Sequence, residues 1–272
     1  MSTAARRKGF DRVLLDLNTQ CDYLLPSGAA PVVNRAGLIS NIRKLFEWAR
    51  SCGVPVISSL NAHRPDEPVN GMPRHCVDRT PGQKKLPFTL LPRRILLDGD
   101  NTLDLPHDLL GRYRQVVFAK RSRDLLSNPK ADRLLTEMPE SHVIIFGVLT
   151  EYCVKATVLG LLTRRRNVVV VSDACGHWNA PEAELAMRQM DAKGAFLIPT
   201  DQILQNAPLP VRLFPVAPEE GRTNGEHAAN EPAGDNGVPV GSRMSGSGSL
   251  RLAAARRRAA SPARGPVGRP LP

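Results

Sequence analysis

Aromatic residues are scarce in this 272-residue chain, at 4%, and several architectures are missing with them. The five cysteines (Cys21, Cys52, Cys76, Cys153, Cys175) are odd in number and form no CxxC pair. That usage excludes a disulfide scaffold and fits a reducing compartment. No apolar run reaches the roughly 18 residues of a membrane-spanning helix. The basic N-terminal residues Arg6-Arg7-Lys8 have no apolar segment behind them, so no secretory signal is expected. This run and Arg164-Arg165-Arg166 lack interleaved aromatics, which indicates solvated surface rather than a nucleic-acid groove. A cytoplasmic protein is expected, with neither a nucleic-acid nor a membrane partner. No internal repeat is visible.

A hydrophobic content of 42% suffices for a sizeable core. The net charge of +11 divides unevenly. Residues 216–272 hold eight arginines and five acids, 8 − 5 = +3, which leaves 11 − 3 = +8 for residues 1–215. Composition separates three segments. Residues 1–9 form a polar leader and residues 10–215 a folded domain. Residues 216–272 are rich in Pro, Gly, Ala, Ser and Arg and lack Phe, Trp and Tyr. This tail has too little apolar surface to offset its ordering entropy and is expected to be disordered.

Within the domain, compact apolar runs predict strands over 12–17, 54–59, 115–119, 142–147, 167–172 and 195–198. Helical patterns occupy 34–51, 130–137, 151–164 and 181–193. The alternation predicts a three-layer α/β/α fold with a mostly parallel, about six-stranded, Rossmann-like sheet. Residues 60–114 break the alternation with many Pro, Gly and charged residues, and so long an excursion in a domain is usually functional or disordered.

Open α/β sheets bind ligands beyond the C-terminal ends of their strands. The first strand runs into Asp16, the third into Lys120, and the fourth leads through Gly147 to Cys153. Cys153 stands where a helix opens, among unpaired N–H groups and at the positive end of the macrodipole, which favours a thiolate. The same N–H groups suit a developing oxyanion. Asp16 is a candidate general base for the thiol and Lys120 a charge partner. Singly, each has a structural alternative: a turn cap, a solvated charge, a buried core cysteine.

Four blocks of sequence carry a family resemblance. They are Leu-Leu-Asp16-Leu-Asn-Thr-Gln-Cys-Asp22-Tyr23-Leu-Leu-Pro-Ser-Gly28, Pro73-Arg-His75-Cys76-Val-Asp-Arg-Thr80-Pro-Gly82, Ala-Lys120-Arg-Ser-Arg-Asp124-Leu-Leu-Ser-Asn-Pro129 and Gly147-Val-Leu-Thr150-Glu-Tyr-Cys153-Val. In this order, over roughly residues 10–205, the chain resembles the isochorismatase-like cysteine hydrolases and, within them, the nicotinamidase-type amidases.

The resemblance implies an isochorismatase-like fold and an Asp16-Lys120-Cys153 triad. It further implies a cis peptide at Val148–Leu149 and an oxyanion hole from the Leu149 and Cys153 N–H groups. Tyr23 matches an aromatic that packs on the substrate ring. Asn61, His63 and His75 match a metal site for Zn²⁺ or a similar divalent ion, with Asn61 standing where the family has a carboxylate. Glu67 or Asp66 is near enough in sequence to replace that charge, and the alternative is that both histidines merely hydrogen-bond within the excursion. No organic cofactor is implied. This chain has two more residues between Asp16 and Asp22 than the family's first block.

The expected activity is hydrolysis of a small carboxamide through a thioester, with nicotinamide as first candidate. The alternatives are another amidase or a ureido-acid hydrolase, isochorismate-type ether hydrolysis, and a non-catalytic binding protein. Cys153 argues against the ether hydrolysis, which in this family proceeds without it. Family members often assemble as dimers or larger forms, so a homo-oligomer is compatible with the sequence.

Overall fold

The β-branched runs form a seven-stranded, wholly parallel sheet in the computed structural model, which describes residues 10–67, 72–98, 102, 104–138 and 141–214. The expected leader and disordered tail lie outside these residues. In chain order the strands are β1 (Arg12–Leu17), β2 (Val56–Asn61), β3 (Arg94–Leu97), β4 (Gln115–Lys120), β5 (His142–Val148), β6 (Asn167–Gly176) and β7 (Phe196–Ile198). Their spatial order is β3-β4-β2-β1-β5-β6-β7. The chain builds outward from β1 to one edge, then returns to lay β5 on the other side of β1. The reversal in strand order therefore falls between β1 and β5, where an open α/β sheet places its ligand crevice.

The sheet has seven strands, not about six. The additional strand is β3, four residues at the sheet edge with an alternately exposed pattern. Its neighbours Pro92-Arg93 and Asp98 disguise it as part of the irregular excursion.

Alternating side chains divide the core into two layers, as a two-sided sheet requires. Leu14, Val56, Ile144 and Phe146 pack beneath α2 (Arg35–Cys52) with α1 (Cys21–Leu24) and α7 (Thr200–Leu204). Val13, Leu15, Ile57, Phe118 and Ile145 pack beneath α3 (Leu109–Arg112), α4 (Pro129–Glu137), α5 (Lys155–Thr163) and α6 (Ala180–Ala192).

Helix ends follow local chemistry. Gly53 closes α2 at φ 73°, a left-handed position that favours glycine. The Asn128 side chain accepts from the Lys130 and Ala131 N–H groups to start α4, with Pro129 at its first position. Among the described residues no helix is long and apolar enough to cross a membrane, and all five cysteines are free.

Candidate active site

Four strand ends converge at the reversal. β2 ends in Asn61 and β4 in Lys120, which are register partners. β1 runs into Asn18, and β5 ends at Val148, where the Val148–Leu149 peptide is cis. Gly147 allows β5 this close to β1: at φ 123°, a Cβ there would lie 2.1 Å from the Leu17 carbonyl oxygen. A π-helical turn, Thr150–Val154, follows and carries Cys153 into α5. Such turns recur at functional sites.

Lys120 and Cys153 come together as expected. The Lys120 Nζ lies 3.6 Å from the Cys153 Sγ, and both residues are almost fully buried. Three oxygens hold the ammonium: Asn61 Oδ1 at 2.5 Å, the Ser122 carbonyl at 2.8 Å and the Arg123 carbonyl at 3.3 Å. A positive charge so fixed is placed to stabilise negative charge on the sulfur.

Asp16 does not join them. Its Oδ2 accepts from Ser58 Oγ and from Lys85 Nζ, each at 2.8 Å, while Oδ1 is buried without a hydrogen-bond partner. The register explains the separation. Asp16 is level with Ser58, and Ser58 is three residues below Asn61 and Lys120, a drop of about 10 Å at roughly 3.3 Å per residue. Burial lowers the Lys85 ammonium below its ordinary range, and Asp16 counters the effect. The residue that reaches the level of the site from β1 is Asn18, whose N–H donates to the Ser59 carbonyl. Its amide bridges strand ends, accepting from Ser59 Oγ at 2.8 Å and donating to the Val148 carbonyl at 2.7 Å. An amide carries no signal of chemistry in a sequence, but the spacing held one: removing the two surplus residues ahead of Asp22 leads from Asp16 to Asn18.

Gln20 also escaped the sequence reading. Its amide makes a paired bond with the Asn61 backbone, donating to the carbonyl at 2.9 Å and accepting from the N–H at 2.8 Å. Asp22 ties the first block to the second by accepting from the Cys76 N–H at 2.6 Å. Gly82 leaves room for that carboxylate, since a Cβ there would lie 2.1 Å from Asp22 Oδ1.

Tyr23 is buried beside the site, and its hydroxyl accepts from Asn61 Nδ2 at 2.6 Å. Burial, together with the nearby Cys76 and Cys153 thiols, raises its phenol well above the usual range. Tyr23, His75 and Trp178 form an aromatic wall with ring centroids 5.2 to 6.1 Å apart. Trp178 carries no motif in sequence. It is anchored by Glu151, whose carboxylate accepts from its N–H at 2.9 Å, and by its own indole N–H to the Ala30 carbonyl.

The expected metal ligands are only partly assembled. His63 and His75 meet edge to face with ring centroids 5.0 Å apart. His63 Nδ1 bonds Glu67 at 3.1 Å, and His75 Nδ1 bonds the Pro73 carbonyl at 2.6 Å. Burial lowers His75 below the ordinary imidazole range. Asn61, however, is already engaged elsewhere: its oxygen takes Lys120 and its nitrogen Tyr23. A neutral amide already bonded to an ammonium is a poor ligand for a dication, which would meet both charge repulsion and an occupied lone pair. Among the described residues no group of three His, Cys, Asp or Glu is arranged to hold a metal ion. These donors do not fit the expected site.

Comparison with known proteins agrees with this architecture. The family model described as the isochorismatase domain matches residues 13–202. The nicotinamidase of Escherichia coli (strain K12) is 29% identical over 203 residues, covering 68% of this chain and 93% of its own. Among solved structures, an isochorismatase-like hydrolase from Alkaliphilus metalliredigens superposes with a TM-score of 0.58 at 19% identity, covering 72% of this chain and 99% of its own. The pyrazinamidase of Pyrococcus horikoshii in complex with zinc gives 0.54 at 22%, covering 70% and 99%. At these identities the two structures speak for the fold.

Proposed function

The chain belongs to the isochorismatase family of hydrolases, and from that premise we propose that it cleaves a small carboxamide through a thioester on Cys153. The observation that carries the proposal is the 3.6 Å contact between the Lys120 ammonium and the Cys153 sulfur, both buried at the strand ends. The nicotinamidase relative makes nicotinamide the first substrate to assay.

In the proposed reaction the thiolate attacks the amide carbon. The oxygen takes up negative charge and is received by the Leu149 and Cys153 N–H groups at the opening of the helical turn, where backbone donors lack intrahelical acceptors. The C–N bond then breaks, and the departing nitrogen takes a proton from Lys120, the ionisable group in contact with the sulfur. Water attacks the thioester carbon, giving a proton back to Lys120 and releasing the acid. The aromatic wall of Tyr23, His75 and Trp178 suits a flat substrate, since rings stack favourably at such distances. No step passes through a metal ion.

Ammonia release from a carboxamide panel, before and after dialysis against a chelator, tests this. The expected result is turnover of at least one amide at a rate the chelator leaves unchanged. Turnover that disappears on chelation and returns with zinc contradicts the metal-free route. Absence of release from every amide contradicts the amidase reading.

A further inference from the structure

Beside the aromatic wall lies a cleft of about 400 Å³, lined by Arg64, Arg74, Arg121 and Arg123 together with His63, His75 and Glu67. It adjoins the reaction centre from two sides. His75 packs on Tyr23, whose hydroxyl is linked through Asn61 to Lys120. Arg123 lends its carbonyl to the Lys120 ammonium and lays its guanidinium over the Tyr152 ring, 4.6 Å from the centroid, next to Cys153.

The charge of this cleft is poorly balanced. Arg121 is matched by Asp78 at 2.9 Å. The Glu67 carboxylate is engaged by His63 and by the Arg64 N–H; burial works to raise it, and these bonds outweigh burial and lower it. Arg64, Arg74 and Arg123 have no carboxylate partner among the described residues. Farther in, the polar side chains at the ends of β1 and β2 are amides, Asn18 and Asn61, so no carboxylate there offsets Lys120. A solvated arginine face would be unremarkable on a convex surface. Here three guanidiniums without an ion-pair partner share one concavity with a single carboxylate, Glu67, and a cleft of net positive charge focuses field lines and concentrates counter-ions.

We infer that the substrate is a carboxamide that also carries an anionic group, drawn in by Arg64, Arg74 and Arg123 toward Cys153. The inference rests on Cys153 as the nucleophile and narrows the substrate class of that site. It sets a neutral amide such as nicotinamide below an amide bearing a carboxylate.

Alkylation kinetics test it with two probes that need no substrate in hand. Iodoacetate and iodoacetamide both form a carbon–sulfur bond with loss of iodide and differ by one negative charge. Peptide mapping of the full chain reads both rates at Cys153 and at the exposed Cys52, which serves as internal reference. The iodoacetate-to-iodoacetamide ratio at Cys153 is expected to exceed that at Cys52 by about tenfold or more at low salt. The excess is expected to collapse near 1 M salt, where the Debye length is about 3 Å. The paired change Arg64→Gln and Arg74→Gln should lower the iodoacetate rate far more than the iodoacetamide rate. A ratio at Cys153 no higher than at Cys52, or one indifferent to salt, overturns the anionic substrate while leaving the nucleophile standing. Failure of Cys153 to react with either reagent overturns the nucleophile, and the inference with it.

Discussion

Replacing Cys153 with alanine is expected to abolish ammonia release, with kcat falling on the order of 10⁴- to 10⁶-fold, the scale on which an acyl-transfer enzyme loses rate with its nucleophile. Unfolding of the variant should stay within about 1 kcal/mol of the parent, because a small side chain is exchanged for one smaller still. The size of the effect follows from the surroundings. Lys120 is the one ammonium in contact with the sulfur among the described residues, and Asn61 and two carbonyl groups fix it in place. Nothing else beside the site combines nucleophilicity with that partner: Cys76 is buried, and burial together with Asp22 pushes its thiol up. Near-parental ammonia release from Cys153→Ala, measured with the fold verified by denaturant titration, would rule out the covalent route.

Asp16→Asn should act on stability first. The carboxylate and the Lys85 ammonium form an ion pair at 2.8 Å with both side chains almost wholly out of solvent. Removing one partner of such a pair costs about 3–5 kcal/mol, because the other charge stays buried without compensation. The pH dependence separates this from other causes. Burial holds the Lys85 ammonium below its ordinary range, so over alkaline pH the unfolded chain binds the proton that folded Lys85 gives up. Stability then rises with pH, and the deficit of Asp16→Asn should shrink as the solution is made alkaline. Changing Lys85→Met in the same chain should recover part of the loss. If Asp16 were the base for Cys153, the substitution would instead remove turnover at unchanged stability. Urea titrations at neutral and alkaline pH, run beside ammonia release, distinguish the two.

The contrast between Asp16 and Asn18 shows what the sequence could carry. Six strands were legible because their β-branched runs are bounded by helices of regular period. Lys120 and Cys153 were legible because a charge and a thiol are conspicuous after an apolar strand. β3 was hidden because a short edge strand buries little and needs no apolar run. Asp16 drew attention as a carboxylate in an apolar strand, yet residue type says nothing of depth along the sheet. Pairing with β2 sets that depth, three residues below Lys120. Its partner Lys85 comes from the irregular excursion and carries no periodic signal. Asn61 stood out only as a departure from a carboxylate. Its two-sided bond to Lys120 and Tyr23, which turns a supposed metal ligand into a support for the charge beside Cys153, depends on a placement only the folded chain reveals.

Acid quenching during turnover of an active carboxamide, followed by mass spectrometry of the Cys153 peptide, tests the covalent chemistry most directly. An acyl group is expected on that peptide during the steady state, absent before substrate and discharged by hydroxylamine. Steady turnover that leaves the Cys153 peptide unmodified at every quench time, with the acyl group recovered on another residue, would contradict it.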